Sequence, residues 1–207
     1  MSERPVADKP SRLPAAERRA VIVDAALQVF GERSYGGATT AEIARAAGVS
    51  EPILYRHFAS KRDLYIACLE EMSTRLRDAA AAFIESEPDP REWTFAIPRA
   101  MDKLRSKAVY PSQMWIQALS ESGDDPELTR YLRGHVRGLH DFAAGIIRRA
   151  QEAGGVAPDR DPDAEAWIGI GLGLLRSVQA RLGGVLSADD FAAIMRSRRL
   201  SLLPPED

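Results

Sequence analysis

The stretch from Thr39 to Phe58 constrains this chain most, because it starts and stops two helices in quick succession. Thr39-Thr40-Ala41-Glu42 reads as a capping box: the Thr39 hydroxyl takes a backbone N–H from the first turn while Glu42 reaches back to the cap. The helix so opened runs from Thr40 to Ala47 and ends at Gly48. Ser50 then offers a second N-cap, and Pro52 suits a first turn, where no intrahelical acceptor awaits its missing N–H. A further helix follows, Glu51 to Phe58. Two short helices joined by a tight turn at Gly48-Val49 have the form of a helix-turn-helix.

The rest of the chain keeps the helical period, and alternating β-branched runs joined by hairpin turns are nearly absent. Ile22, Ala26, Val29 and Phe30 make one face of a first helix, about Pro14 to Arg33, broken at Tyr35-Gly36-Gly37. Ser60-Lys61-Arg62-Asp63 opens a long fourth helix striped by Tyr65, Leu69, Met72, Leu76, Ala80 and Phe83; about 26 residues would span ~39 Å before Pro88-Asp89-Pro90 stops it. Further helices are expected at Arg91 to Ser106, kinked at Pro98, and at Pro111 to Glu121, Pro126 to Ala153, Pro162 to Leu182 and Ser187 to Leu200. The fold class is therefore all-α.

With 45% hydrophobic residues in 207, the chain can fill a real core. Its longest nearly uncharged apolar run, Ala166 to Leu175, is about ten residues, well short of the ~20 that cross a bilayer, so no membrane partner is expected. The polar N-terminus has no signal-like apolar stretch, which leaves a cytoplasmic protein as the expectation. Cys68 stands alone and reads as a buried thiol, and His57, His135 and His140 are not clustered with carboxylates. No metal or cofactor is expected. The net charge of −2 is divided unevenly: residues 1–77 carry 12 Lys/Arg against 10 Asp/Glu, and residues 78–207 carry 16 against 20. That split permits nucleic-acid binding without arguing for it.

On a wheel of 100° per residue, Leu54 and Phe58 share one side of the third helix, where Ile43, Ala44 and Val49 complete a small core. Pro52, Ile53, Tyr55 and Arg56 point away from it. An outward Ile and Tyr fit a major groove, with Ile against a thymine methyl and Tyr on a phosphate; they fit equally well a contact with another part of the chain. The wheel leaves both open.

The sequence TTAEIARAAGVSEPILYRHFASKRDLY, Thr39 to Tyr65, resembles the DNA-binding signature of the TetR family of regulators in order and spacing, and the first helix matches as well. The resemblance implies a dimeric repressor with an arm at 1–13, a helix-turn-helix domain at 14–60 and a helical ligand-binding and dimerisation domain at 61–207. It implies phosphate contacts from Thr39 or Thr40, Tyr55, His57 and Lys61, and base reading by Ser50, Glu51, Pro52, Ile53 and Arg56. Thr39, Thr40 and Lys61 stand at helix N-termini, whose free N–H groups already favour an anion. Ala41 is too short to read a base deeply. Glu51 either accepts from a cytosine amino group or merely favours its helix N-terminus. The early basic residues Arg4, Lys9, Arg12, Arg18 and Arg19 form either a minor-groove arm or a solvated tail.

The same resemblance implies a small-molecule effector bound among the helices after Pro90. Aromatic and Met side chains suit an apolar, adaptable pocket, and the candidates are Trp93, Met101, Tyr110, Met114 and Trp115, then Tyr131, His135, Phe142 and Trp167. Plain core is the competing use of each. Gly169, Gly171 and Gly173 each cost about 1 kcal/mol inside a helix. Gly169 and Gly173 share a face that would admit a neighbouring backbone, and with Phe191, Ile194 and Met195 they read as a homodimer interface. Two other functions compete with a regulator of double-stranded operator DNA. An enzyme would need a nucleophile, base and oxyanion donors, and no motif supplies them. A protein-binding helical adaptor would have no use for Tyr55, His57 and Lys61 together.

Overall fold

The computed structural model describes residues 14–106 and 113–204, and these form nine α-helices, two 3-10 turns and no strand. The helices are α1 (Ala15–Gly37), α2 (Thr40–Ala46), α3 (Glu51–His57), α4 (Lys61–Ser86), α5 (Ala96–Ser106), α6 (Gln113–Glu121), α7 (Pro126–Glu152), α8 (Pro162–Leu182) and α9 (Ala188–Leu202). None is long and apolar enough to cross a membrane.

The start signals act as their chemistry requires. Thr39 Oγ1 accepts the Glu42 N–H at 3.2 Å and the Thr39 N–H donates to Glu42 Oε2 at 3.1 Å, closing the capping box. Ser60 Oγ takes the Asp63 N–H at 3.0 Å and opens α4. Ser50 has the extended backbone of an N-cap but makes no side-chain capping bond. Two expectations need correction. The break in α1 falls at Ser34, which takes φ 65°, and Tyr35, Gly36 and Gly37 add one more turn beyond it. The segment after Pro90 is a 3-10 turn, Pro90–Phe95, followed by α5. Pro98 sits in the first turn of α5, where no acceptor needs its N–H, so it kinks nothing.

Arg18 and Arg19 belong to α1, where the Arg19 guanidinium lies 4.8 Å from the Phe58 ring centroid, and are not part of an arm. Arg4, Lys9, Arg12 and the whole of 1–13 lie outside the described residues.

One apolar core runs from α1 through α4 into α5, α6 and α7. Phe30, Tyr35 and Tyr65 meet ring to ring, with Tyr65 centroids 4.9 Å from Phe30 and 4.8 Å from Tyr35. α4 is tied to the helices beyond it at three heights. Arg62 pairs with Asp125 and Glu127 at the start of α7, at 3.4 and 2.6 Å. The Tyr65 hydroxyl donates to the Met114 carbonyl at 3.0 Å, and Ser73 meets His135 Nδ1 at 2.9 Å. Between α7 and α8 the chain crosses the 3-10 turn so closely that a Cβ on Gly155 would run into the Pro90 carbonyl carbon. Only glycine fits there.

Candidate nucleic-acid interface

α3 is held by its inner side. Leu54 is fully buried and Phe58 is buried beside it, while Pro52, Arg56 and Tyr55 are exposed, Tyr55 at 46%. Ser50 and Thr39 are exposed, and Ile53, Glu51, His57 and Lys61 are partly covered. The expected reading residues thus share one solvent-facing surface of α3, with the Thr39 and Lys61 helix starts elsewhere on the same small domain.

Hydrogen bonds order part of that surface. Thr40 is largely buried, and its hydroxyl donates to the Glu51 carboxylate in a short bond. Its only proton is then spent, so the Tyr55 hydroxyl is the donor across the 3.2 Å to Thr40 Oγ1. Glu51 therefore has a third use beyond the two read from sequence: it clamps α3 to α2. For Tyr55 to donate to a phosphate it must release Thr40. The Lys61 ammonium rests 4.6 Å from the Tyr35 ring centroid, which fixes its stem over the aromatic cluster without neutralising its charge. Arg33 pairs with Glu42 at 2.9 Å, and the two hydrogen bonds from Thr39 hold the Glu42 carboxyl below the usual carboxylate range.

The second site is a cavity of about 430 Å³ lined by α5, α6, α7, α8 and α9 and almost wholly apolar. Met101, Trp115 and Trp167 of the sequence candidates line it. The others are placed elsewhere. Met114 is fully buried in the core, and Phe142 packs against that core. The Trp93 indole donates to the Glu87 carbonyl at 2.9 Å. Tyr131 and His135 face a separate shallow hollow with Ile66 and Glu127. Ser73 donates to the Leu69 carbonyl and so accepts from His135, whose pKa is pushed down to about 4 by burial and by the charge of Arg77. Tyr110 lies outside the described residues.

Gly169 and Gly173, with Phe191 and Met195, also line the cavity, while Ile194 of α9 does not. A Cβ at Gly169 or Gly173 would meet nothing within 4 Å, so no neighbouring backbone of the same chain makes the close approach that the glycines allow. Aliphatic residues complete the lining, Ile97, Ile116, Leu139, Ile146 and Ile147 among them, and by residue type these are indistinguishable from core; Glu165 and Arg198 also line it. A carboxylate opening the otherwise apolar Glu165 to Leu175 segment was the available signal. Among the described residues no group of His, Cys, Asp and Glu could hold a metal.

A family model described as "Bacterial regulatory proteins, tetR family" matches residues 22–68. The HTH-type transcriptional regulator BetI of Rhizobium meliloti is 35% identical over 122 residues, which cover 59% of this chain and 60% of that protein, less than two thirds of its length. A TetR-family transcriptional regulator from Cytophaga hutchinsonii superposes with a TM-score of 0.79 at 14% identity, covering 95% of this chain and 100% of that one. The transcriptional regulator FadR from Bacillus subtilis, solved in complex with stearoyl-CoA, gives 0.67 at 18% identity over 87% and 95% of the two chains. At these identities the structural likeness is one of fold.

Proposed function

Because this chain belongs to the TetR family of bacterial regulatory proteins, we propose that it is a sequence-specific, dimeric, DNA-binding transcriptional repressor of the cytoplasm, released from its operator by a small apolar or amphipathic molecule. The observation that carries the reading is the α3 surface. Ile53, Tyr55 and Arg56 are turned outward on a helix whose other side is locked by Leu54 and Phe58, so the chain spends apolar and aromatic side chains on solvent where a major groove would use them. The helix-turn-helix at 14–60 is the reader, and the helices from 61 onward are the sensing and pairing part.

Pairing is supported at α8 and α9. Trp167, Ile168, Leu174, Val178, Leu182, Val185 and Leu200 are all exposed in the single chain. A patch of this kind calls for a partner surface, and a second copy related by a two-fold axis would place two recognition helices on successive major grooves, about 34 to 36 Å apart. The release route is supported by α6. It contributes Trp115, Ile116 and Leu119 to the cavity wall, while its Met114 carbonyl holds the Tyr65 hydroxyl of α4 beside the reader. A ligand that moves α6 tilts α4, and a small tilt takes both readers out of register. By reciprocity operator DNA must weaken ligand binding by the same factor.

The test is operator selection from a randomised DNA library. Lys61→Ala should weaken every sequence alike and lower the salt slope by about one, as the loss of a phosphate contact does. Ile53→Ala should change which sequences are selected. Unchanged selection by Ile53→Ala would remove the α3 surface from the reading role.

A further inference from the structure

Besides Trp115 and Trp167, the polar side chains lining the cavity are Thr94, Glu165, Arg176, Ser177 and Arg198, and each is engaged within the chain. Arg176 Nη1 lies 3.1 Å from Asp102 Oδ2 and its Nη2 bonds Asp102 Oδ1, a forked pair. Arg198 pairs with Glu165 and donates to Ser201 Oγ at 3.2 Å. The Ser177 hydroxyl donates to the Gly173 carbonyl at 3.0 Å, and the Thr94 hydroxyl to the Arg91 carbonyl at 3.4 Å. Both guanidiniums of the wall thus have a carboxylate of their own. Two of its aromatic rings carry cations as well. The Arg176 guanidinium lies 5.2 Å from the Phe191 ring centroid. His140 packs on Trp167 at 4.5 Å between centroids, and its two ring nitrogens face Asp141 Oδ1 and the Asp163 carbonyl, each at 3.1 Å. A carboxylate and a carbonyl both accept, so this ring is held as the imidazolium.

We propose that the cavity takes an uncharged, largely hydrocarbon molecule and turns away amphiphiles with a charged head. The proposal rests on the cavity being the effector site and names the chemistry of the effector. An anionic head meets no unmatched cation among the described residues of the wall; to reach Arg176 or Arg198 it must displace Asp102 or Glu165 and strand that carboxylate. A cationic head meets no unmatched carboxylate there, and the Phe191 and Trp167 rings that would draw it already hold cations of the chain. Either ion would shed its water into an apolar hollow without a counter-charge. An uncharged molecule has no such cost and buries its surface against side chains such as Ile97, Ile116 and Ile147. Ile168, Val178 and Leu182, which α8 exposes, are not part of the lining, so a second copy seated on them leaves the cavity to a small molecule.

The experiment uses the full chain and three probes of equal chain length: decanol, decanoate and decyltrimethylammonium. Binding is followed by calorimetry and by the fluorescence of Trp115 and Trp167, which line the cavity. Decanol is expected to bind roughly tenfold or more tighter than either ion. Ala143→Phe puts a ring into the hollow from α7 and should lower decanol affinity about tenfold or more. Asp102 is half exposed, so Asp102→Asn spares the fold while freeing Arg176; it should raise decanoate affinity about tenfold and leave decanol unchanged. Decanoate or the ammonium binding as tightly as decanol overturns the assignment while leaving the cavity as an effector site, and so does a decanoate affinity that Asp102→Asn does not raise. Decanol binding that Ala143→Phe leaves intact places the molecule outside the cavity and overturns the proposal. Binding of none of the three removes the effector reading itself and the assignment with it.

Discussion

At the reader end, α1 to α3 and the start of α4 take Phe30, Ile43, Leu54, Leu64 and Tyr65 wholly out of water, and every short helix is fixed by a cap, a turn or a shared ring contact. At the far end, α8 and α9 bury only Glu165, Ala166 and Leu202, while Leu182 and Leu200 stand 69% and 70% exposed. The first region completes its own core. The second buries little of its own and leaves an apolar face open, from Trp167 and Ile168 to Leu182 and Leu200.

The largest effect should come from cutting into the closed core. Phe30→Ala removes a fully buried ring and should cost about 3–5 kcal/mol in denaturant unfolding, whereas Leu182→Ala should stay within about 0.5 kcal/mol for the single chain. Equal losses would break the contrast. Next, Leu174→Glu with Val178→Glu should turn a dimer into a monomer in sedimentation and weaken operator binding on the order of a hundredfold, since one recognition helix buries too little surface alone. Unfolding of the reader should be untouched, and a double variant that remains dimeric would move the interface elsewhere.

His135 joins α4 to α7 and gives the contrast a pH dependence. Its folded pKa lies near 4 against 6.5 when unfolded, so the unfolded chain takes the proton first. Its contribution is complete above pH 6.5 and is lost as pH falls toward 4, about 2 kcal/mol by pH 5. His140 runs the other way: the hydrogen bond to Asp141 raises its pKa, so what it contributes is present at low pH and lost as pH rises through the folded value. Urea unfolding at pH 5 and 7.5 should show His135→Gln with the smaller acid loss. The smallest change is Gly173→Ala. It adds a methyl group in open space and removes a helix glycine, so the single chain should gain up to about 1 kcal/mol. A loss instead would mean that another backbone does approach α8 there, as in a tight dimer.

The same contrast explains what could be read in advance. Caps and breaks are local, so Thr39, Ser60, Gly48 and the Pro162 start of α8 placed the helices nearly where they lie. The capping box even named both of its partners. Long-range arrangement left no such mark. That Glu51 would bind Thr40 depends on how α2 crosses α3, and that Met114 faces the core while Trp115 faces the cavity depends on which side of α6 meets α4. Met101, Trp115 and Trp167 were separable from Trp93, Tyr131, His135 and Phe142 only once the helices were packed. The α8 glycines call for an explanation, and sequence spacing alone does not separate a helix partner from a hollow.

The central claim, that the outward face of α3 reads DNA, is tested most directly by titrating the full chain against double-stranded DNA from around its own coding region over a range of salt. One preferred fragment is expected, with a linear fall of log K with log salt amounting to roughly 10³-fold or more between 50 and 200 mM, and preference for that fragment over a scrambled one by about 10³ or more. Binding that is insensitive to salt, or that does not distinguish the fragment from its scramble, would contradict it.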